Sequence, residues 1–376
     1  MEFTSSLFIG KAIIILVIFG ITLLIATYST YAERKVAAFM QDRIGPDRAG
    51  PFGIFQPLAD AVKMFMKEDF IPANANKWLF IAGPCLSMLT ALMTSAVIPW
   101  GDKLEVFGLV INLQGIEVNI GILWVFGIVS LGVYGVLIGG WASNNKYSLI
   151  GAIRAASQNI SYELAMGLSI IAILMFTGSL STKAIVEGQQ NGHWNILYQP
   201  VGFIIFLVCA FAECNRTPFD LPECETELIG GYHTEYSSMK LGFYLFSEYI
   251  NMFVSGAVMA TLYFGGYDYP GFSWVISNWG SNIANILGVA SIFGKALFFI
   301  FFFMWIRWTI PRFRYDQLMN LGWTSLIPLA MANVVVTGLG ILLEWPMVVM
   351  WAVLVMSLAI AFGYESVVRK RKIVTT

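Results

Sequence analysis

The sequence predicts an all-α, polytopic membrane helix bundle. Of its 376 residues, 57% are hydrophobic and only 12% are charged, against about 25% charged residues in soluble domains. Nine segments approach or reach the roughly 20 apolar residues that a helix needs to cross the hydrocarbon core of a bilayer. Because so much apolar surface cannot be hidden in one aqueous core, we expect eight or nine transmembrane helices and treat residues 1–376 as a single transmembrane domain.

The predicted spans follow one another along the whole chain. They run over about 7–31, 78–99, 118–141, 160–178, 196–213, 241–265, 289–310, 324–343 and 347–366. The first is too long for the apolar region of a signal peptide and has no small-residue cleavage site after it, so we expect it to remain as an anchor.

Lysine and arginine residues concentrate on one side of these spans. Eighteen of the 22 lie in the connections 32–77, 142–159, 214–240 and 307–323 and in the C-terminal tail. Cytoplasmic connections carry such an excess of basic residues. The sequence therefore predicts that the N-terminus lies outside and the C-terminus in the cytoplasm.

The first basic connection contains a predicted interfacial helix. The Gly and Pro residues of its opening, 41–51, force turns, and helix is expected from Pro57 onwards. One face of this helix is apolar and the other carries Asp60, Lys63 and Lys67. Such an amphipathic helix is either a lipid-surface anchor or one wall of a passage for an amphipathic ligand arriving from the bilayer.

Composition argues against several other functions. The formal net charge is −1, so the positive field that nucleic-acid binding needs is absent. The four cysteines show no C-x-x-C spacing, and neither of the two histidines lies in a long apolar run. We therefore predict no zinc, iron–sulfur or haem ligation by this chain.

Three glutamates lie within or at the ends of predicted spans. Glu163 is near the start of the fourth, Glu213 at the end of the fifth and Glu248 inside the sixth. Because ionisable groups are costly in the hydrocarbon region, we expect them to be functional. Separate helix-end carboxylates that reach the headgroups are the alternative. Lys295, in the seventh span, could equally be functional or extend its ammonium group to the membrane surface.

An acidic run follows Glu213 on the otherwise basic side. It contains Glu223, Glu225 and Glu227, together with Asp220 and Glu235. Repelling, partly buried carboxylates have raised and coupled pKa values, which suits proton exchange near neutral pH. The alternative is a solvated acidic loop.

Several of these segments resemble one known family. The motifs are ERK at 33–35, QDRIGP at 41–46, QPLADAVK at 56–63, GWASNNKY at 140–147, RAASQNISYE at 154–163, AECNRTPFDLPE at 212–223, YHTEYS at 232–237 and RWTIPRFRYDQLM at 307–319. Over about residues 28–330 the chain resembles the quinone-module membrane subunit of respiratory complex I, the NADH:quinone oxidoreductase. Cys214 and Cys224 depart from the small or polar residues expected there, and the span at 347–366 extends beyond the eight-helix core of that family.

The resemblance implies a subunit without a redox centre in a proton-translocating enzyme of the bacterial inner membrane. Quinone would be its substrate, whereas NADH, FMN and the iron–sulfur clusters would belong to partner subunits. With peripheral-arm subunits it would form the quinone tunnel, lined or braced by Arg34, Arg43, Asp60, Arg216, Arg307, Arg312 and Asp316. Proton coupling would involve Glu163, Glu213, Glu223, Glu225, Glu227 and Glu248. Neighbouring membrane-arm subunits and lipid would be its other partners.

Two alternatives remain from the sequence. The homologous membrane anchor of an energy-converting hydrogenase or a formate hydrogenlyase shares the acidic elements, but the complete first loop and the 307–319 motif favour the quinone enzyme. A secondary transporter with its substrate among the carboxylates would usually show repeated halves, and the sequence contains no convincing internal repeat.

Overall fold

The computed structural model describes residues 5–106, 109–222, 228–345 and 351–353. It is a bundle of long helices, as the sequence predicts. In chain order the α-helices are α1 Ser5–Met40, α2 Gln56–Met66, α3 Lys77–Ser95, α4 Gly121–Ala142, α5 Lys146–Thr177, α6 Thr182–Gly188, α7 Asn195–Tyr198, α8 Pro200–Glu213, α9 Ser238–Tyr263, α10 Phe272–Trp279, α11 Ser281–Thr309, α12 Tyr315–Asn320 and α13 Ile327–Leu342.

Within these described residues, seven helical segments are long and apolar enough to cross a membrane, and α8 is a shorter apolar helix. The last of the seven is continuous from α12 to α13 through the π-helical turn Leu321–Leu326. Eight of the nine predicted spans therefore correspond to helices. The ninth, 347–366, lies almost wholly outside the described residues.

Four predicted spans have a start or an end that is wrong by eight residues or more; in two of them, α11 begins at Ser281 and the last span at Tyr315. Helix α1 continues to Met40, and α5 begins at Lys146, inside the segment 142–159 that the sequence assigned to a loop. Two contacts explain why the segment before residue 160 is helical. The Asn145 side chain caps the start of α5 by accepting a hydrogen bond from the Tyr147 amide at 2.9 Å. The Gln158 amide nitrogen donates to the Ala212 carbonyl at 2.7 Å. Polar residues that suggest a loop in the sequence thus form hydrogen bonds inside the bundle.

The two ends of the bundle differ in structure. We call the end that carries residues 41–76, 214–222, 228–237 and 310–314 the basic side, and the opposite end the hairpin side. The hairpin side is named for the antiparallel strands β1 Lys103–Val106 and β2 Leu109–Asn112. Helices α6, α7 and α10 are the other short elements there.

On the basic side, turns lead into the predicted amphipathic helix. Gly53 has a positive φ of 79°, and a Cβ there would overlap the Pro46 carbonyl oxygen, so the compact turn requires glycine. Helix α2 follows, with its apolar residues Leu58, Val62 and Phe65 more than half exposed. An apolar face exposed in this way is typical of a helix that lies in the membrane interface.

Helix α9 forms the centre of the bundle and packs against α1, α3 and α11. It is the most buried of the seven long apolar segments that the structure describes. Around it lie aromatic side chains, among them Trp100, whose ring stacks on those of Phe253 and Phe293 with centroid separations of 5.4 and 4.9 Å. This central position brings the polar residues of α9 to the site described below.

The first prediction concerns orientation. Cysteines placed at the exposed positions Asp47, on the basic side, and Asn119, on the hairpin side, should react with a membrane-impermeant maleimide from opposite faces of the membrane. Because basic residues are retained in the cytoplasm, Asp47→Cys should be labelled only in inverted vesicles and Asn119→Cys only in intact cells. The unsubstituted protein controls for its own cysteines, and the reverse pattern would contradict the orientation.

Candidate functional site

A buried ion cluster joins four parts of the chain on the basic side. One Glu33 carboxylate oxygen lies 3.2 Å from the Arg216 guanidinium and accepts the Tyr249 hydroxyl at 2.8 Å. Its other oxygen pairs with Arg307. Only 8% of the Glu33 side chain and 6% of that of Arg216 are exposed. Residues from α1, the 214–222 segment, α9 and α11 therefore share one carboxylate, which we call the Glu33 cluster.

The Arg216 side chain is held as a cation in this cluster. Its guanidinium carbon also lies 4.2 Å from the centroid of the Tyr249 ring, within cation–π range. Burial by itself would lower the pKa of Arg216, but the interactions with Tyr249 and Glu33 hold that pKa above its ordinary value. The cluster thus carries charge at a point where Glu33 and Arg216 are almost inaccessible to solvent.

Two further ion pairs brace the same side. Arg312 and Asp220 are 2.7 Å apart, and the Phe313 amide donates to the Pro218 carbonyl, so the segment after α11 is joined to the segment after α8. Arg34 and Asp60 are also 2.7 Å apart and join α1 to α2. This second pair is more exposed, with half of the Arg34 side chain accessible.

An opening of about 170 Å³ lies between α1, α2 and α9, and we call it the α2 cavity. Its lining is mainly apolar, and the polar side chains in it are those of Thr27, Thr30, Arg34, Asp60 and Tyr249. A mostly apolar cavity with a few polar groups is the usual form of a site for a small amphipathic molecule. Tyr249 belongs both to its wall and to the Glu33 cluster.

A second cavity, of about 40 Å³, lies inside the bundle and is polar. Glu213 and Glu248 both line it, with Asn215 and Tyr232 beside them. The Tyr232 hydroxyl donates to Glu248 at 3.1 Å. We call this the buried polar cavity, and its size suits one or a few water molecules. The structure thus brings together two of the three predicted intramembrane glutamates.

Glu163 occupies a separate position from that pair. It accepts a hydrogen bond from the Ser130 hydroxyl of α4 and is not among the residues that line the buried polar cavity. It lies close enough to Glu213 for the two carboxyl groups to interact electrostatically. The sequence predicted that Glu163 is near the start of its helix. Because α5 begins at Lys146, Glu163 lies near the middle instead.

The remaining predicted residues have different locations. Arg43 and Asp316 are exposed and, within the described residues, contact only local groups: Arg43 donates to Gln41 at 2.8 Å, and Asp316 lies 3.8 Å from Arg314. The structure does not bring either of them to the Glu33 cluster. Glu223, Glu225 and Glu227 lie outside the described residues.

Three important residues were absent from the predicted site. The predicted first span ends before Glu33, so the sequence assigned Glu33 to a loop. An acidic residue directly before Arg34 and Lys35, in a basic connection, nevertheless indicates a carboxylate with a cationic partner. Tyr249 and Tyr232 gave no such signal, because a tyrosine in an apolar helix or beside it is usually a packing residue. Their hydroxyl contacts with Glu33 and Glu248 appear only in the folded chain.

The intramembrane Lys295 has a full set of structural partners. Its ammonium group donates to the carbonyl oxygens of Phe264, Gly266 and Asp268 at 2.7, 2.8 and 2.5 Å. It also lies 5.0 Å from the centroid of the Trp194 ring. Lys295 therefore binds the backbone that follows α9, where helix carbonyls lack intrahelical partners, and does not extend to the membrane surface.

Comparison with known proteins agrees with the resemblance seen in the motifs. The family model described as NADH dehydrogenase matches residues 12–338. The chain belongs to this family of membrane subunits of respiratory complex I. A subunit of the NADH-quinone oxidoreductase of Flavobacterium johnsoniae is 62% identical over 338 residues, which cover 90% of this chain and 97% of that protein.

Other relatives show the same full-length similarity. A subunit of the NADH-quinone oxidoreductase of Cytophaga hutchinsonii is 64% identical over 345 residues, covering 91% of this chain and all of that protein. "NADH-quinone oxidoreductase subunit 8" of Rhodothermus marinus is 45% identical over 340 residues, covering 88% of this chain and 97% of that protein. The family assignment predicted from the motifs is confirmed.

The second prediction tests the Glu33 cluster. Glu33→Gln removes the carboxylate but keeps the side chain's size, and leaves the buried Arg216 without its anionic partner. Breaking such a buried pair costs about 3–5 kcal/mol. We expect less assembled subunit in native electrophoresis and a lower thermal denaturation temperature of the purified complex. Glu105→Gln is the matched control, because Glu105 is exposed on the hairpin side and exposed charges contribute little to stability. Equal behaviour of the two variants would contradict the structural role of Glu33.

Proposed function

We propose that this chain is the membrane subunit of a proton-translocating NADH:quinone oxidoreductase in the bacterial inner membrane. With peripheral-arm subunits it forms the passage by which quinone reaches its reduction site, and its carboxylates couple quinone reduction to proton movement. The observation that carries the proposal is the position of the Glu33 cluster: Tyr249 joins it to the α2 cavity, and Arg216 follows directly on Asn215, which lines the buried polar cavity.

The α2 cavity suits quinone for two reasons. Its lining is mostly apolar, as an isoprenoid tail requires, and its charged pair Arg34–Asp60 offers groups to a polar headgroup. It also lies beside α2, whose exposed apolar side chains fit the membrane interface. A quinone dissolved in the bilayer could therefore enter between α1, α2 and α9 without crossing water.

The Glu33 cluster offers an electrostatic path from quinone to the carboxylates. Quinone reduction consumes protons and creates transient negative charge, which acts strongly on charged groups where water is excluded. Tyr249 lines the α2 cavity and donates to Glu33, and Glu33 pairs with Arg216. A change of charge on a quinone in the α2 cavity alters the electric field at the buried polar cavity, where Glu213 and Glu248 can take up or release protons.

The proposed reaction needs partners that supply the redox chemistry. NADH, FMN and iron–sulfur clusters are assigned to peripheral subunits, and quinone is the substrate. This chain supplies access, orientation and titratable groups. Arg312 and Asp220 would hold the surface that contacts the peripheral arm, while Arg43 and Asp316, which are exposed in the isolated chain, would meet their partners only in the complex.

The third prediction tests the quinone passage. Asp60→Ala removes the partner of Arg34, and Arg307→Ala removes one of the two cations on Glu33. Each should lower NADH:quinone activity of the assembled complex by roughly tenfold, the factor that about 1.4 kcal/mol represents. Electron transfer from NADH to a soluble artificial acceptor should be unchanged, because it does not use the membrane subunit. Equal loss of both activities would indicate defective assembly and contradict the prediction.

The fourth prediction tests proton coupling. Glu213→Gln and Glu248→Gln keep size and hydrogen bonding but cannot titrate. Both variants should assemble, yet lose most quinone-linked turnover and most proton pumping together, since a coupled enzyme stops when its proton step is blocked. The measurements are NADH:quinone activity and proton uptake in sealed vesicles.

Glu105→Gln is the control for this pair, because Glu105 is exposed on the hairpin side. It should leave both turnover and pumping unchanged. If the two buried glutamates were only helix-end carboxylates, their amide variants would also behave normally, because a neutral amide is cheaper to hold in a membrane. Full quinone-linked activity and full proton pumping in both Glu213→Gln and Glu248→Gln would contradict the coupling proposal.

A further inference from the structure

Two tyrosines of the motif YHTEYS, at 232–237, are buried although they lie in the connection that precedes α9. Tyr232 is 1% exposed and Tyr236 is 5% exposed, and a buried tyrosine hydroxyl usually has a hydrogen-bond partner. That of Tyr232 donates to Glu248, which lines the buried polar cavity. That of Tyr236 donates to a carbonyl oxygen of α3. The proposed function assigns a role to Glu248 and none to Tyr236.

Tyr236 occupies a position that a proline opens in α3. Pro84 lies inside this helix, and because proline has no N–H it cannot donate to the carbonyl oxygen four residues earlier, which is that of Phe80. The Tyr236 hydroxyl donates to this oxygen at 3.0 Å. Phe80 is completely buried, and a buried carbonyl without a donor is costly. The Tyr236 hydroxyl therefore replaces the hydrogen bond that Pro84 cannot form.

The surroundings of Tyr236 leave its ring little freedom. The ring lies parallel to that of Phe80, with centroids 4.1 Å apart and planes inclined by 6°. On the side of α4, a Cβ on Gly139 would lie 2.9 Å from the Tyr236 hydroxyl, so the helix comes this close only because residue 139 is glycine. The Gly139 carbonyl, 3.2 Å from the hydroxyl, already accepts from the Ser143 amide. Of the two carbonyls, that of Phe80 therefore depends on Tyr236.

Ring contacts connect Tyr236 to Tyr232 through Tyr244 of α9, and we call these three residues the tyrosine row. The ring of Tyr244 meets those of Tyr236 and Tyr232 edge to face, each with a centroid separation of 5.1 Å. The Tyr236 amide donates to the His233 carbonyl at 2.9 Å, which closes the turn between the outer two. On the far side of Tyr232, a Cβ on Gly151 of α5 would lie 2.7 Å from its backbone nitrogen. Tyr232 is thus held between α5 and the rest of the tyrosine row.

We propose that Tyr236 is a positioning residue for the proton step at Glu248. Its hydroxyl fixes the connection on α3, the tyrosine row transmits that position to Tyr232, and the Tyr232 hydroxyl fixes one oxygen of the Glu248 carboxyl group. This inference rests on the proposed coupling role of Glu248. No member of the tyrosine row is among the described residues that line the α2 cavity, so the role of Tyr236 concerns turnover and not quinone binding.

The test measures NADH:quinone turnover per assembled complex over a range of quinone concentrations. Tyr236→Phe and Tyr232→Phe each keep the ring and remove the hydroxyl. Each should lower kcat by about fivefold, equivalent to about 1 kcal/mol, with an unchanged KM for quinone. The double variant should be no slower than Tyr232→Phe alone, because both changes act on the same hydrogen bond. Tyr134→Phe is the matched control, since Tyr134 is 55% exposed on α4, and it should leave kcat unchanged.

A second variant separates positioning from stability. Tyr236→Phe leaves the buried Phe80 carbonyl without its donor, so we expect less assembled complex in native electrophoresis. Pro84→Ala gives residue 84 an N–H that can donate to this carbonyl. Combined with Tyr236→Phe, it should restore assembly to the level of Pro84→Ala alone and leave kcat low. Recovery of kcat together with assembly would show that the hydroxyl acts only on stability, and would overturn the proposal.

Two other results would also overturn it: a normal kcat in assembled Tyr236→Phe, or separate losses in Tyr236→Phe and Tyr232→Phe that multiply in the double variant. Glu248→Gln distinguishes this failure from a failure of the coupling proposal. If Glu248→Gln turns over and pumps normally, the coupling role itself is contradicted and the positioning role with it. If Glu248→Gln is blocked while Tyr236→Phe is normal, only the positioning role is contradicted.

Discussion

The rest of the basic side depends on one buried carboxylate. Glu33 is almost inaccessible to solvent, and placing a charge there is costly unless partners compensate. The compensation comes from Arg216, Arg307 and the Tyr249 hydroxyl, which belong to three other segments. Helices α1, α9 and α11 and the segment after α8 must therefore meet at one point. Any arrangement that separates them leaves a buried ion without its partner.

That constraint also sets the relation between the two cavities. Tyr249 of the Glu33 cluster lines the α2 cavity, and Arg216 of the same cluster directly follows Asn215, which lines the buried polar cavity, so the cluster adjoins both cavities. Helices α3, α4 and α9 pack tightly on this side: the Tyr236 hydroxyl donates to the Phe80 and Gly139 carbonyls. A Cβ on Gly139 would overlap the Tyr244 hydroxyl.

The hairpin side handles charge in a different way. There a lysine of a long apolar helix is solvated by the backbone, since Lys295 donates to three carbonyls after α9. In the same loop, burial raises the pKa of Asp268 above its ordinary value. Lys183 forms ion pairs with Asp102, just before β1, and with Glu187 of α6. These contacts hold loops in place, whereas the charges of the basic side surround cavities.

The sequence by itself determined the class of fold, eight of the helices and the family, because bilayer thickness fixes the length of an apolar span and the long motifs are specific. It also identified Glu213 and Glu248, since a carboxyl group in an apolar span is conspicuous. Only the tertiary structure decided which charges meet. Glu33 is 183 residues from Arg216 and 274 from Arg307, and no local pattern encodes such pairings. The start of α5 at Lys146 and the binding of Lys295 to backbone carbonyls have the same cause: their polar groups are satisfied by segments distant in the chain.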